Sequence, residues 1–407
     1  MNRQLLCLWA GLVFFLPTAQ AETASPLPGR LKLTHIAADT WRAEYALAEP
    51  VTSIDLGPKI GEYRQQAWRI LTPGVGLVTL EDQQTISAGG KAFSAFSVEV
   101  SLYLPYAEGN YTAFDRMSDG GTAVFIGFFT GDAVQGRRTR PLHLKVQLAG
   151  LAHENVIAPD DRHPDQPSYA YFGPATPTPA GVGKLILDPR TPDWLVELMQ
   201  ETTTKITQFY NRAFQRPLTY RPLMLVSISD FETRGLSTKG GAVGQQVVYR
   251  LGGKALLGGS EQVRRIVTEL IAHEWAHVWQ NNVARGGIGG TEAWVHEGGA
   301  EAIALAGLRG SGLLSPADAD AYAAKLIQEC AALEGSVESY RGFYACGFKR
   351  FTDYELGIFP LWKSMMETTE STGAVYSSSM IEAIRARARK AGASAGRGQS
   401  KQAVEHH

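Results

Sequence analysis

Residues 273–277 read His-Glu-Trp-Ala-His, and a further acid, Glu297, follows after nineteen intervening residues. Residues four apart on an α-helix lie about 40° apart around its axis, so His273 and His277 project from one face toward one point. The flanking sequence is helical as well: Val263, Ile266, Val267, Leu270 and Ile271 keep helical spacing, and Ser260, after two glycines, is placed to cap the start. Burying two imidazoles and two or three carboxylates in so apolar a stretch is costly unless a cation neutralises them. The chain must therefore fold so that a helix over 263–280 meets a second segment carrying Glu297.

Two histidines one turn apart with an intervening glutamate are the pattern of a zinc site with its own base. By composition such a string arises by chance in only about one chain in a hundred of this length. Its alternative is a buried amphipathic helix whose histidines satisfy core hydrogen bonds. His273 and His277 are read as ligands of one Zn2+ ion and Glu297 as the third, since a catalytic zinc takes three protein ligands and keeps one position open. Glu274 is placed to take a proton from a water that the metal acidifies. Glu301, four residues past Glu297, shares its helical face and suits a carboxylate that receives the other ring N–H of a ligand histidine. His296 is read as another outer-sphere group, a substrate contact or a competing ligand.

These residues resemble the gluzincin metallopeptidases, the HExxH-plus-glutamate group that includes thermolysin, the aminopeptidase N family and the glycyl aminopeptidase family. The resemblance runs over about 185 to 390 and includes E-G-x-A at Glu297-Gly298-Gly299-Ala300. It implies zinc at His273, His277 and Glu297, a general base at Glu274, and a metallopeptidase acting on peptides or proteins. Tyr344-Ala345-Cys346-Gly347 resembles the Y-x-x-G of aminopeptidase N relatives, whose tyrosine hydrogen-bonds the tetrahedral intermediate; Tyr344 is the matching residue here, with Tyr340 and Tyr354 as competitors. The spacing to Glu297 is one residue longer than in that pattern, and His296 stands where asparagine is typical.

Aminopeptidase N relatives also carry G-x-M-E-N ahead of the zinc helix, with a glutamate that binds the substrate's amino group. The corresponding stretch here is Gly240-Gly241-Ala242-Val243-Gly244-Gln245-Gln246 and holds no carboxylate. The resemblance thus leaves exo- and endopeptidase both open. Gln245 to Leu251 reads as an edge strand, and Gly241, Ala242 and Val243 beside it as the backbone that aligns an extended peptide. A shorter likeness, His277-Val278-Trp279-Gln280, is to the plant basic secretory proteins. It keeps a second reading in play, a non-catalytic peptide- or protein-binding protein on a zincin scaffold.

Arg3, an apolar run from Leu5 to Phe15 and Ala19-Gln20-Ala21 have the three regions of a secretory signal peptide, with cleavage after Ala21 and a secreted or periplasmic destination. The run is too short to span a bilayer, and no other segment reads as a membrane span. Export leaves Cys330 and Cys346 as an even pair in an oxidising compartment, which favours a disulfide over two free core thiols. A net charge of −1 with interspersed signs gives no reason to expect nucleic acid as a partner.

The rest of the chain predicts an α+β protein. Leu31 to Ile36, Trp41 to Leu47, Phe93 to Leu104, Thr122 to Phe129 and Leu142 to Leu148 are alternating or apolar runs divided by Gly, Pro and Asp, which points to an N-terminal β-sandwich-like domain. Helical patterns follow: Thr191-Pro192-Asp193 starts one, with Thr191 as the capping hydroxyl and Pro in the first turn, and Ser315-Pro316-Ala317-Asp318 starts another. The expected organisation is a signal peptide over 1–21, a β domain with linker over 22–185, a thermolysin-like, α-rich zincin catalytic domain over 186–390, and a disordered tail over 391–407.

Overall fold

The computed structural model describes residues 25–105, 111–158, 168–283, 292–354 and 356–402, with side chains to residue 390. The expected signal peptide lies outside the described residues. The chain is α+β, with a β-rich N-terminal part and a mainly helical C-terminal part.

The first strands are β1 (Leu27–Ala37), β2 (Thr40–Val51), β3 (Ser53–Pro58), β4 (Trp68–Ile70), β5 (Gly76–Leu80), β6 (Gln83–Ser87) and β7 (Phe93–Ser101). Strict alternation in β2 turns Trp41, Ala43, Tyr45 and Leu47 inward and the polar residues between them out. There follow β8 (Phe114–Arg116), β9 (Thr122–Phe125), β10 (Asp132–Gln135), β11 (Arg138–Ala149), β12 (Asn155–Ile157) and β13 (Tyr169–Gly173). One nine-stranded sheet runs β4-β7-β2-β1-β11-β10-β3-β6-β5, and a four-stranded sheet runs β12-β13-β9-β8. Every residue of β9 and β13 is buried, as expected of strands covered on both faces. Trp41 joins the two sheets, its ring 5.0 Å from Phe114 and 6.1 Å from Phe172. This is the sheet-on-sheet packing that the N-terminal pattern predicts.

A third sheet lies against the other face of the four-stranded one. Its strands β14 (Thr178–Ala180), β15 (Gly183–Leu187), β16 (Leu223–Ile228), β17 (Ser237–Val243) and β18 (Gln246–Gly252) run in the order β14-β15-β16-β18-β17. Ile186, Leu223 and Leu225 share one core with Phe114, Val124 and Tyr171. The expected boundary at 185/186 therefore falls inside β15, because the Pro-rich stretch ahead of it already supplies β14.

Helices complete the fold: α1 (Tyr63–Ala67), α2 (Asp193–Phe214), α3 (Ala255–Gly258), α4 (Glu261–Val283), α5 (Ala293–Gly310), α6 (Pro316–Ala332), α7 (Tyr340–Thr352), α8 (Ile358–Thr372) and α9 (Ser378–Gln402). Ser315 caps α6 by accepting from the Asp318 amide. At α2 the predicted cap differs: Pro192 occupies the N-cap, and the Thr191 hydroxyl instead donates to the Asp188 carbonyl at 2.6 Å. Helix α9 continues to Gln402, past Lys390 where the composition predicts a tail. Its Ala, Arg, Lys and Gln content supports helix despite the glycines. Among the described residues no helix is long and apolar enough to cross a membrane.

Candidate metal centre

Ser260 starts the central helix as its sequence predicts, accepting from the Val263 amide at 3.4 Å. All eight residues from His273 to Gln280 are buried, so α4 runs through the middle of the helical lobe rather than along its surface. Helix α5 crosses it and carries Glu297 in its second turn. Helix α7 then packs on α5 at a pair of glycines: a β-carbon on Gly298 would overlap the Gly347 backbone, and one on Gly347 would sit 2.9 Å from the Gly298 α-carbon. That close approach explains physically why a glycine follows Glu297 and another follows Tyr344 by three residues. It carries the Tyr344 ring to 5.4 Å from the His273 ring, stacked at 28°.

His273 Nε2 and His277 Nε2 lie 3.0 Å apart, and Glu297 Oε2 lies 3.3 Å from each. Tetrahedral zinc with bonds of roughly 2.0–2.1 Å holds its ligand atoms about 3.3 Å apart. The three donors thus form a triangle of the size that zinc requires. A proton can bridge only one of its edges, whereas one divalent cation bonds all three atoms. Among the described residues this is the one group of three such side chains. The charges agree with that chemistry. Burial would raise the Glu297 pKa, but His277 and His273 beside it hold it well below the ordinary carboxylate range. Burial would lower that of His273, but Glu297 and Glu301 hold it well above the usual imidazole value. The two opposite shifts show a buried carboxylate and imidazole stabilising each other's charged forms.

Around the triangle the second ring nitrogens are handled differently. His277 Nδ1 donates to Gln280 Oε1 at 2.7 Å, leaving Nε2 as the lone-pair atom. His273 Nδ1 faces Glu301 Oε2 at 3.7 Å, long for a hydrogen bond, while Tyr322 from α6 donates to that same oxygen at 2.8 Å. Burial would raise the Glu301 pKa, and its His273 and Tyr322 neighbours lower it. His296 is not at a vertex of the triangle. Its ring stacks on His277, centroids 4.1 Å apart, and burial pushes its pKa well down.

Glu274, next to His273 on α4, faces β17. Its carboxyl is buried, its Oε2 has no hydrogen-bond partner, and burial raises its pKa against the pull of His273 and His277. The wall facing it is β17, where a β-carbon on Gly240 would overlap the carboxyl. Here the structure corrects the edge-strand prediction. Strand β18 pairs with β16 on one side and β17 on the other, so the edge is β17, with Gly241, Ala242 and Val243 on it. Tyr344 is half-buried, and its hydroxyl donates to Tyr340, which is 69% exposed, at 3.3 Å.

No protein-family profile and no curated protein matches the sequence. Solved structures similar to this one include a two-domain M1 zinc metallopeptidase, a glutamate-to-alanine mutant bound to L-arginine, at 12% identity and a TM-score of 0.46, covering 88% of this chain and 89% of that one. The M1 zinc metallopeptidase from Deinococcus radiodurans is similar at 11% identity and 0.46, covering 87% and 88%. A mutant from the same organism bound to a Tyr-Ser-Ala substrate is similar at 13% and 0.46, covering 88% of each chain. All three are remote likenesses.

Three neighbours of the site carry no signal that reading for ligands would find. Gln280 lies three residues past His277, on the same side of the helix, and a glutamine in so apolar a segment is the available hint. Tyr322 belongs to a helix with no motif of its own. Gly240 looks like a turn residue until β17 is placed against α4.

Proposed function

We propose that the protein is an exported zinc metallopeptidase of gluzincin type with a thermolysin-like catalytic lobe. The observation that carries the reading is the 3.0, 3.3 and 3.3 Å triangle of His273, His277 and Glu297. These three residues would hold one zinc ion. When bound, the metal supplies Lewis acidity, which acidifies a water and polarises a substrate carbonyl. The protein's own groups do the rest. Glu274, desolvated and with an elevated pKa, takes the proton of the attacking water and returns it to the leaving amine. Tyr344 donates from its phenol to the oxygen that gains charge, and burial, which raises its pKa, keeps that phenol protonated. An extended peptide lies along the outer edge of β17 past Gly241, Ala242 and Val243. The Cys330–Cys346 bridge and the N-terminal sequence support an oxidising, extracytoplasmic setting.

Digestion of a broad peptide library tests this reading. The zinc-loaded chain should cut, stop on chelation and recover with zinc, and Glu274→Gln should keep one zinc per chain while losing turnover by about a thousandfold. A zinc-loaded protein that binds peptides without cutting any would favour the binding-protein alternative instead.

A further inference from the structure

The N-terminal β unit reaches the wall of the metal centre through buried polar contacts. Gln246, the first residue of β18, is 4% exposed; its Oε1 accepts the Tyr169 amide hydrogen and its Nε2 donates to the Tyr169 carbonyl, both at 2.7 Å. A primary amide can do both at once, so this side chain copies one rung of a β-ladder. Four residues on, Arg250 donates to Asp115 Oδ1 from Nε at 3.1 Å and Nη2 at 3.0 Å, and Ser227 of β16 donates to the same oxygen at 2.7 Å. Tyr169 and Asp115 belong to β13 and β8 of the four-stranded sheet.

The placement of the two contacts is what matters. In the β17–β18 hairpin Gln246 stands opposite Val243, and Arg250 stands opposite Lys239. Gly240, the residue that presses on Glu274, lies between those two rungs. The N-terminal unit therefore grips the hairpin on both sides of its contact with Glu274. Apolar surface would join two units at a lower desolvation cost than a buried carboxylate and a buried amide. Directional contacts fix where the strand sits, which apolar packing does less well.

We infer that the N-terminal β unit positions the β17–β18 hairpin against Glu274, with Gln246 and Asp115 as its positioning residues. The coupling is a property of the fold; its effect on turnover rests on the proposed role of Glu274. Gln246→Met, similar in volume but without the two hydrogen bonds, tests it in the full zinc-loaded chain. Amides of 240–249 should exchange about tenfold faster, while those of α2 and β15 stay at the wild-type rate. Zinc should remain at one per chain, and on a cleavable peptide kcat should fall about tenfold, with KM rising as the β17 edge that aligns the peptide loosens. Wild-type exchange in the hairpin, or a uniform acceleration across the whole chain, would overturn the inference. Should Gln246→Met not fold, Ser227→Ala removes one donor to Asp115 and should give a smaller acceleration, about threefold, in the same segment. If the wild-type chain cuts no peptide, the peptidase reading fails and hydrogen exchange still decides the coupling.

Discussion

Gln280 accepts the Nδ1–H of His277 at 2.7 Å, one turn further along the same buried helix. The amide cannot turn over, because its own nitrogen donates to the His296 carbonyl on α5 at 3.0 Å. One side chain therefore sets the tautomer of His277 and links α4 to α5, the two helices that carry the His273, His277 and Glu297 triangle. Gln280→Leu removes the partner of both His277 Nδ1 and the His296 carbonyl and should lower zinc affinity about 10- to 100-fold in the folded chain. Competition with a chromophoric chelator measures this. Affinity equal to wild type would mean that the hydrogen bond does not orient the ring.

Gly298 and Gly347 meet where α5 and α7 touch. Gly298→Ala places a methyl on the Gly347 backbone, where no flexible side chain can move aside. The helices must separate, at a cost of about 1–3 kcal/mol. Denaturant unfolding should show that loss. Because α7 carries Tyr344, turnover should fall even at temperatures where the variant is fully folded.

What the sequence made legible follows from how local each signal is. The α4 helix, its Ser260 cap and the shared face of His273 and His277 depend on residues within a turn or two of one another. Glu297 was accessible because a spacing pattern links it to them. Strand order is not local, and the edge position depends on it. Gln246 to Gly252 has the apolar alternation of a strand, but nothing within it says that β16 and β17 flank it. The true edge, Ser237 to Val243, is rich in glycine and weakly β-forming, so its own residues carry little strand signal. Thr191 shows the same limit, since its preference as a cap lost to a carbonyl that the local chain brings within 2.6 Å. The alternating and apolar N-terminal runs gave the sheets, while the double coverage of β9 and β13 became visible once the third sheet was placed.

Asp188 directly follows β15, and its buried carboxylate accepts from the Ser118 hydroxyl at 2.6 Å, the Ser118 amide at 3.1 Å and the Arg190 amide at 2.9 Å. Burial acts to raise its pKa, and the hydrogen bonds from Arg190 and Ser118 outweigh burial and lower it. A folded-state pKa below the unfolded value means that the group contributes stability above about pH 4, the ordinary aspartate range, and loses it as pH falls through the folded-state value. The expected result is a fall in the urea midpoint below about pH 4. Asp188→Asn should be less stable at neutral pH and show a flatter acid limb. Parallel limbs for the two proteins would assign the acid sensitivity to other carboxylates.

Cys330 and Cys346 bridge the end of α6 to the middle of α7, closing a loop of fifteen intervening residues. Both helices reach the candidate site from outside the ligand triangle, α6 through Tyr322 on Glu301 and α7 through Tyr344 beside His273. The three candidate ligands stand on α4 and α5, so the bridge should matter for stability and for Tyr344 but not for holding metal. Replacing both cysteines by alanine should cost about 3 kcal/mol by the chain-entropy estimate for a loop of this size. Equilibrium unfolding with and without the bridge measures that cost, and zinc content per folded chain should be the same in both forms. If the variant lost zinc while remaining folded, the support for the ligand triangle would extend through α6 and α7, and Glu301 with Tyr322 would be the contact to examine next.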